Sequence, residues 1–240
     1  MKKIQLHNEA AVGVFAANLI LSLIKENPTA VISLPTGKTP LPMYASIRVM
    51  MQEKKEKNMP LPWHAVSFFQ LDEYVRPASG TMVVESFIEY LNRELLSVTE
   101  GIHFHSIAQY QTNPDDYEKA IQNAGGLDLV VLGIGINGHI AFNEPGTQPE
   151  SLTRTVLLDE TTRQSNFGTD QLNDNTPTQA ITMGIQTILS ARQIVLLATG
   201  EKKKAIVQQA FSDQEPNASI PASWLKRHPN VILLTDFLMP

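Results

Sequence analysis

The sequence predicts one doubly wound α/β domain over residues 1–240, a mostly parallel twisted sheet with helices on both faces. Short apolar, β-branched runs recur at 30–34, 65–71, 127–133, 180–183, 194–199 and 231–235, and helix-period stretches separate most of them. That alternation builds a parallel sheet in a Rossmann-like arrangement. Two runs, Leu129-Val130-Val131-Leu132 and Ile194-Val195-Leu196-Leu197, are continuous rather than alternating, as central strands covered on both faces must be. With 240 residues, 42% hydrophobic and 18% charged, the chain can bury one large core and gives no compositional reason to be divided.

The elements follow in order. After Met1-Lys2-Lys3 the chain has no apolar signal region and no small-residue cleavage site, so no secretory leader is expected. The stretch Ala10–Ile24 places Val12, Phe15, Ala16, Leu19 and Leu23 at helical spacing, with Asn18 and Ser22 off the stripe, and predicts an amphipathic surface helix. The strand at 30–34 runs into Pro35-Thr36-Gly37-Lys38-Thr39-Pro40. A helix through Tyr44, Ile47 and Met51 follows, with Thr39 as N-cap, Pro40 as first helical residue and Lys54-Lys55-Glu56-Lys57 as a solvated end. The strand at 65–71 is abutted by Asp72-Glu73, and the most hydrophobic strand, 127–133, by a glycine-rich polar stretch. Residues 147–178 are polar, contain one plausible strand at Thr153–Leu158, and are expected to form a lid. Strands at 180–183, 194–199 and 231–235 complete the sheet, with Gly200-Glu201-Lys202-Lys203-Lys204 opening a helix through Ile206, Val207 and Ala210.

Bulk properties exclude several function classes. A net charge of -5 lacks the basic surface that nucleic-acid binding needs, and no run of eighteen apolar residues could span a bilayer. The absence of cysteine rules out disulfides, thiolate metal sites and a cysteine nucleophile. A soluble cytoplasmic protein acting on a small molecule, as a monomer or homo-oligomer, is expected.

In doubly wound folds ligands sit outside the carboxyl ends of the strands, so the residues after each strand carry the candidates. The turn Thr36-Gly37-Lys38-Thr39 offers first-turn amides, hydroxyls and a cation to a phosphate, although Gly, Thr and Pro also serve strand-to-helix turns for geometry alone. It is not a Walker A loop, because it lacks that motif's spacing. Asp72 and Glu73 are placed for proton work at the edge of an apolar strand, while an isolated acidic pair reads rather as a helix cap or surface turn. The stretch from Gly133 to Gly146 delivers Asn137, Gly138, His139 and Glu144 into a polar cluster, and an acid five residues after a histidine can orient it. Dinucleotide binding is excluded there, because Pro145 stands where a helix should run. Of the three lysines after Gly200, at least one is expected to face phosphate, because cations at a helix start oppose its dipole unless an anion is near.

Together these residues resemble the glucosamine-6-phosphate deaminase/isomerase family, nearly end to end. Pro35–Pro40, Leu71-Asp72-Glu73-Tyr74-Val75, the 133–146 stretch and Ala198-Thr199-Gly200-Glu201-Lys202-Lys203 match in order and spacing, and His139-Ile140-Ala141-Phe142-Asn143-Glu144-Pro145 is specific to the deaminase side. The resemblance implies that Asp72 takes the C2 proton of an open-chain amino-sugar phosphate and returns one to C1. It implies too that His139 assists ring opening, that Glu144 orients His139, and that Asn137 stands at the family's other acidic position. Thr36, Gly37, Lys38, Thr39, Gly138 and Lys203 are implied for substrate and phosphate, with no metal and no organic cofactor. One departure is Gly168, where the family pattern expects a phosphate arginine; Lys38 is expected to supply the missing charge, ahead of Arg163. That departure, with Gly80-Thr81 ahead of Glu85-Ser86-Phe87 and the 220–225 segment, is similar to the galactosamine-6-phosphate deaminase/isomerase subgroup. Val156 stands where an allosteric lysine would sit near Arg154, so activation by an acetylated sugar phosphate is not expected. The alternatives are a 6-phosphogluconolactonase, which shares the fold and phosphate loop, and a non-catalytic sugar-phosphate sensor.

Overall fold

A computed structural model describes residues 1–59, 61–77, 82, 84–99, 101–158, 160–168 and 172–238. In chain order the elements are β1 (Lys2–Gln5), α1 (Glu9–Glu26), β2 (Val31–Ser33), α2 (Leu41–Glu56), β3 (Ser67–Phe69), β4 (Asp72–Tyr74), α3 (Phe87–Glu94), β5 (His103–His105), α4 (Pro114–Asn123), β6 (Leu129–Gly133), β7 (Arg154–Leu157), α5 (Glu160–Phe167), β8 (Gln179–Thr182), α6 (Ile185–Leu189), β9 (Gln193–Ala198), α7 (Lys204–Ala210) and β10 (Val231–Thr235), several joined by 3₁₀ turns. Gly80 and Thr81 lie outside the described residues.

Seven strands form one sheet in the order β1-β10-β9-β6-β2-β3-β5, with every pairing parallel. The continuous apolar runs have the reason expected of them, since successive residues are buried on opposite faces. Val130 and Leu132 of β6 and Ile194 and Leu196 of β9 pack with α4, α6 and α7, whereas Leu129, Val131, Val195 and Leu197 pack with α1, α2 and α3. Each of these side chains is at most 1% exposed, and full burial contributes about 1.5–3 kcal/mol apiece before chain entropy is counted. Opposite the carboxyl ends, Asp128 fastens the start of β6 to both neighbours. Its carboxylate accepts from Val31 N–H at 2.8 Å and from Arg192 Nη1 at 2.8 Å.

The structure revises several expectations. The run 180–183 forms β8, which pairs antiparallel with β4 and β7 in a separate three-stranded sheet rather than joining the parallel one. Its residues are buried on both sides in either setting, so composition does not reveal strand direction. The run 65–71 is interrupted after Phe69; Asp72 opens the new strand β4, and the acidic pair is no surface turn, although Glu73 accepts from the first amides of α3. The edge strands β1 and β5 are short and partly exposed, and lacked the apolar signal. On α1 the buried stripe centres on Ala17, Ile20 and Ile24, with Phe15, Leu19 and Leu23 only partly covered, because α2 packs against the Gly13 side. Helix α2 begins one residue later than expected, with Pro40 at the N-cap and no side-chain cap from Thr39. In segment 147–178 the expected strand is β7, and α5 is an element the sequence did not announce.

Candidate active site

The chain leaves β2 to build β3 and β5 on one side, then returns to place β6 against the other side of β2. The strand order therefore reverses between β2 and β6, the place where the connections diverge and leave a crevice for ligands. The loop after β2 carries Thr36–Thr39, and the loop after β6 carries Asn137–Glu144. The segments after β3 and β9, the outer neighbours, carry Asp72 and Lys203. Four of the sequence-derived loops thus leave adjacent strands at one edge.

In the β2–α2 turn, Thr36 and Thr39 are half-buried and Gly37 and Lys38 exposed. Gly37 has φ of +97°, a conformation glycine adopts without strain. Two phenols hold the turn from behind: Tyr44 donates to Pro35 C=O at 2.7 Å and Tyr90 to Gly37 C=O at 2.6 Å. Among the described residues, the amides of Thr36, Gly37, Lys38 and Thr39 donate to no protein acceptor. Four free donors beside an exposed lysine make an anion cradle.

Asp72 is 7% exposed, and its carboxyl makes no hydrogen bond or ion pair among the described residues. Burial first, and the neighbouring Glu73 charge second, raise its pKa from 3.8 to about 8. Glu73 is 3% exposed but saturated, accepting from Gln70 Nε2, Tyr74 N, Phe87 N and Ile88 N, each at 2.9 Å. Two adjacent acids thus have opposite environments, one satisfied and one bare.

His139, Asn137 and Glu144 form one hydrogen-bonded group. Asn137 Nδ2 donates to Glu144 Oε2 at 2.7 Å, which fixes the amide orientation and turns Oδ1 toward His139 Nδ1, also at 2.7 Å. An amide oxygen only accepts, so Nδ1 carries a proton, and in the neutral imidazole Nε2 keeps the lone pair. Glu144 Oε1 lies 3.5 Å from Nδ1 and accepts from Thr162 of α5 at 3.0 Å. Burial raises the Glu144 carboxyl, but the His139 hydrogen bond and charge, with the Asn137 and Thr162 donors, outweigh it and leave the carboxyl below its ordinary range. The His139 ring lies on Gly135, where a Cβ would sit 2.2 Å from Cε1. Downstream, Asn143 ties the loop down by donating to Ile140 C=O and Met183 C=O, and Phe142 N–H donates to Thr182 Oγ1. Thr182 is the register partner of Asp72 in the small sheet, so the His139 loop is anchored to the strand row that holds Asp72.

Lys203 is half-buried at the turn after β9, makes no ion pair among the described residues, and has its pKa lowered by burial. Gly138, expected among the phosphate contacts, offers no free donor. Its N–H goes to Gly135 C=O, its C=O accepts from Ala222, and a Cβ would meet Ile220 at 2.6 Å, so its work is close packing. Arg163 spends Nε on Pro177 C=O, and Gly168 is exposed with φ of +82°. Sequence reasoning set Glu73 beside Asp72 for proton work and assigned no site role to Tyr44, Tyr90, Thr162 or Thr182. One signal was available: Ser86-Phe87-Ile88-Glu89 spells a capping box and announces the start of α3, the helix that carries Tyr90.

The chain is similar to known proteins over nearly its whole length. Residues 6–233 match the family model of glucosamine-6-phosphate isomerases/6-phosphogluconolactonase. A glucosamine-6-phosphate deaminase of Bacillus pumilus is 38% identical over 98% of this chain and 97% of its own, and one of Mycoplasma mycoides is 36% identical over 98% and 95%. A solved monomeric glucosamine-6-phosphate deaminase superposes with a TM-score of 0.86 at 32% identity, covering 98% of this chain and 97% of that one. The 6-phosphogluconolactonase of Trypanosoma brucei, at TM-score 0.73, 20% identity and coverage of 98% and 95%, shares the fold alone. On the full-length match and these identities, the chain belongs to the enzyme family of glucosamine-6-phosphate isomerases and 6-phosphogluconolactonases.

Proposed function

We propose that the chain converts an amino-hexose 6-phosphate and water into the ketohexose 6-phosphate and ammonia. The observation that carries this reading is Asp72, a buried carboxyl with no partner among the described residues, on the strand row to which the His139 loop is anchored. His139 Nε2 takes the anomeric hydroxyl proton and hands it to O5 as the C1–O5 bond breaks, which opens the pyranose to the C1 aldehyde. Asp72 breaks the C2–H bond to give an enolamine, then delivers the proton to C1, and water hydrolyses the resulting C2 imine to ketone and ammonia. Glu144 and Asn137 hold the His139 tautomer, and neither needs to exchange a proton. The amides of Thr36–Thr39, with Lys38 and Lys203, hold the remote phosphate and so contribute orientation without joining the chemistry. No metal or organic cofactor enters the reaction.

Glucosamine-6-phosphate going to fructose-6-phosphate is the first assignment, supported by the names of the relatives at 36–38% identity. Galactosamine-6-phosphate going to tagatose-6-phosphate is the second, favoured by Gly168 at the expected arginine position, with Lys38 proposed to supply the missing charge. Residues 147–178 act as a lid in this reading, since Thr162 on α5 already reaches Glu144, and bound sugar phosphate is expected to shield them from proteolysis. Ammonia release measured with both amino sugars side by side, beside hydrolysis of 6-phosphogluconolactone, tests the assignment. Lactone hydrolysis without ammonia would select the lactonase alternative, and tight sugar-phosphate binding without either product would select the sensor.

A further inference from the structure

Helix α3 touches both halves of the site. Its N-cap is Ser86, closed by a capping box with Glu89, and its first two amides, Phe87 and Ile88 N–H, both donate to the Glu73 carboxylate at 2.9 Å. Glu73 immediately follows Asp72 on β4 and is immobilised further by Gln70 and by Tyr74 N–H, so the amino end of α3 is clamped to the strand that carries the base. One turn along, Tyr90 reaches the β2–α2 turn and donates to Gly37 C=O at 2.6 Å. The Tyr90 ring meets Tyr44 edge-on at 6.0 Å and 71°, and Tyr44 holds Pro35 C=O in the same turn. The peptide bonds of this turn are trans, so each carbonyl points opposite to the amide that follows it. Fixing Pro35 C=O and Gly37 C=O from behind therefore turns Thr36 N–H and Lys38 N–H forward, and neither finds an acceptor within the described protein.

We propose that α3 sets the separation between Asp72 and the anion cradle, with Tyr90 as the positioning residue that keeps the Gly37–Lys38 peptide in its donating orientation. This rests on the proposed function only in taking the bound anion to be the substrate's phosphate. Tyr90 touches no substrate; it acts through the main chain of Gly37. A helix fixed at both contacts holds the distance from base to phosphate constant, which matches a substrate whose reacting carbons and phosphate are separated by a fixed number of bonds.

Tyr90→Phe removes the hydroxyl and keeps the ring against Tyr44. Calorimetric titration with inorganic phosphate and steady-state kinetics with glucosamine-6-phosphate are to be measured on wild type and variant. The expected result is a phosphate Kd and a KM that both rise by roughly fivefold to tenfold, the loss of one hydrogen bond, while kcat changes by less than about twofold. A thermal midpoint close to wild type accompanies this, since a merely structural role would move the midpoint and leave phosphate affinity alone. Unchanged phosphate affinity, or a fall in kcat with affinity intact, overturns the proposal. Phosphate binding is read without turnover. Wild type that binds phosphate but releases no ammonia therefore defeats the activity alone, and the Tyr90→Phe shift still decides the positioning role; wild type that binds no phosphate overturns both.

Discussion

At the scale of single residues, the Asp72 carboxyl has its pKa raised by burial and by Glu73 to about 8, and a base must be ionised to accept a proton. The profile of kcat/KM against pH is therefore expected to climb through about 8, and Asp72→Asn to abolish this limb, lowering kcat by roughly 10²–10⁴-fold with substrate affinity retained. Near-normal kcat in that variant would remove the assigned base. Stability carries the same signature. Below 3.8 the group is protonated folded and unfolded; between 3.8 and about 8 only the folded chain keeps the proton, so stability falls as pH rises through this window. Asp72→Asn is expected to gain on wild type in urea midpoint from the lower end of the window to the upper. Gly135 gives a second test. Its Cβ position lies 2.2 Å from the His139 ring, so Gly135→Ala displaces the imidazole and is expected to cost on the order of 10²-fold in kcat while leaving phosphate affinity unchanged. Residue types and spacing made Asp72, Asn137, His139 and Glu144 legible as candidates. They did not separate Asp72 from Glu73, because the difference is made by Gln70, Phe87 and Ile88, which only the folded chain brings to one of the two acids.

At the scale of elements, the central strands were legible because β6 and β9 bury alternate residues on two helix-covered faces and so read as unbroken apolar runs. The small sheet was not legible. β8 has the same buried composition as a parallel strand, and its partner β4 is three residues beginning with two acids, which no hydrophobic pattern announces. Close contacts between helices were hidden for the same reason, as α1 and α2 show at Gly13. A Cβ there would lie 2.4 Å from the Pro42 backbone carbon. In an exposed helix glycine-to-alanine stabilises by about 1 kcal/mol; here Gly13→Ala is expected to destabilise by about 1–3 kcal/mol, read as a lower urea midpoint at unchanged slope. A stabilised Gly13→Ala variant would show that α1 and α2 part more easily than their packing implies.

At the scale of the whole molecule, ligand and fold are linked through the cradle. A phosphate that binds only the folded chain stabilises it by RT ln(1 + [L]/Kd), about 2.7 kcal/mol at a hundredfold excess over Kd. Inorganic phosphate is accordingly expected to raise the thermal midpoint, and to raise it less in Lys38→Ala, where one exposed cation of the cradle is lost. An equal rise in both proteins would take Lys38 out of the phosphate site. Asp128 shapes this response from the far side. By lacing the starts of β2, β6 and β9 together at the rim away from the proposed site, it is expected to confine any widening of the fork between β2 and β6 to the opposite rim. The fork behaves like a clothes-peg sprung at one end, so loosening Asp128 would be felt as slack in the jaws, some distance from the residue itself.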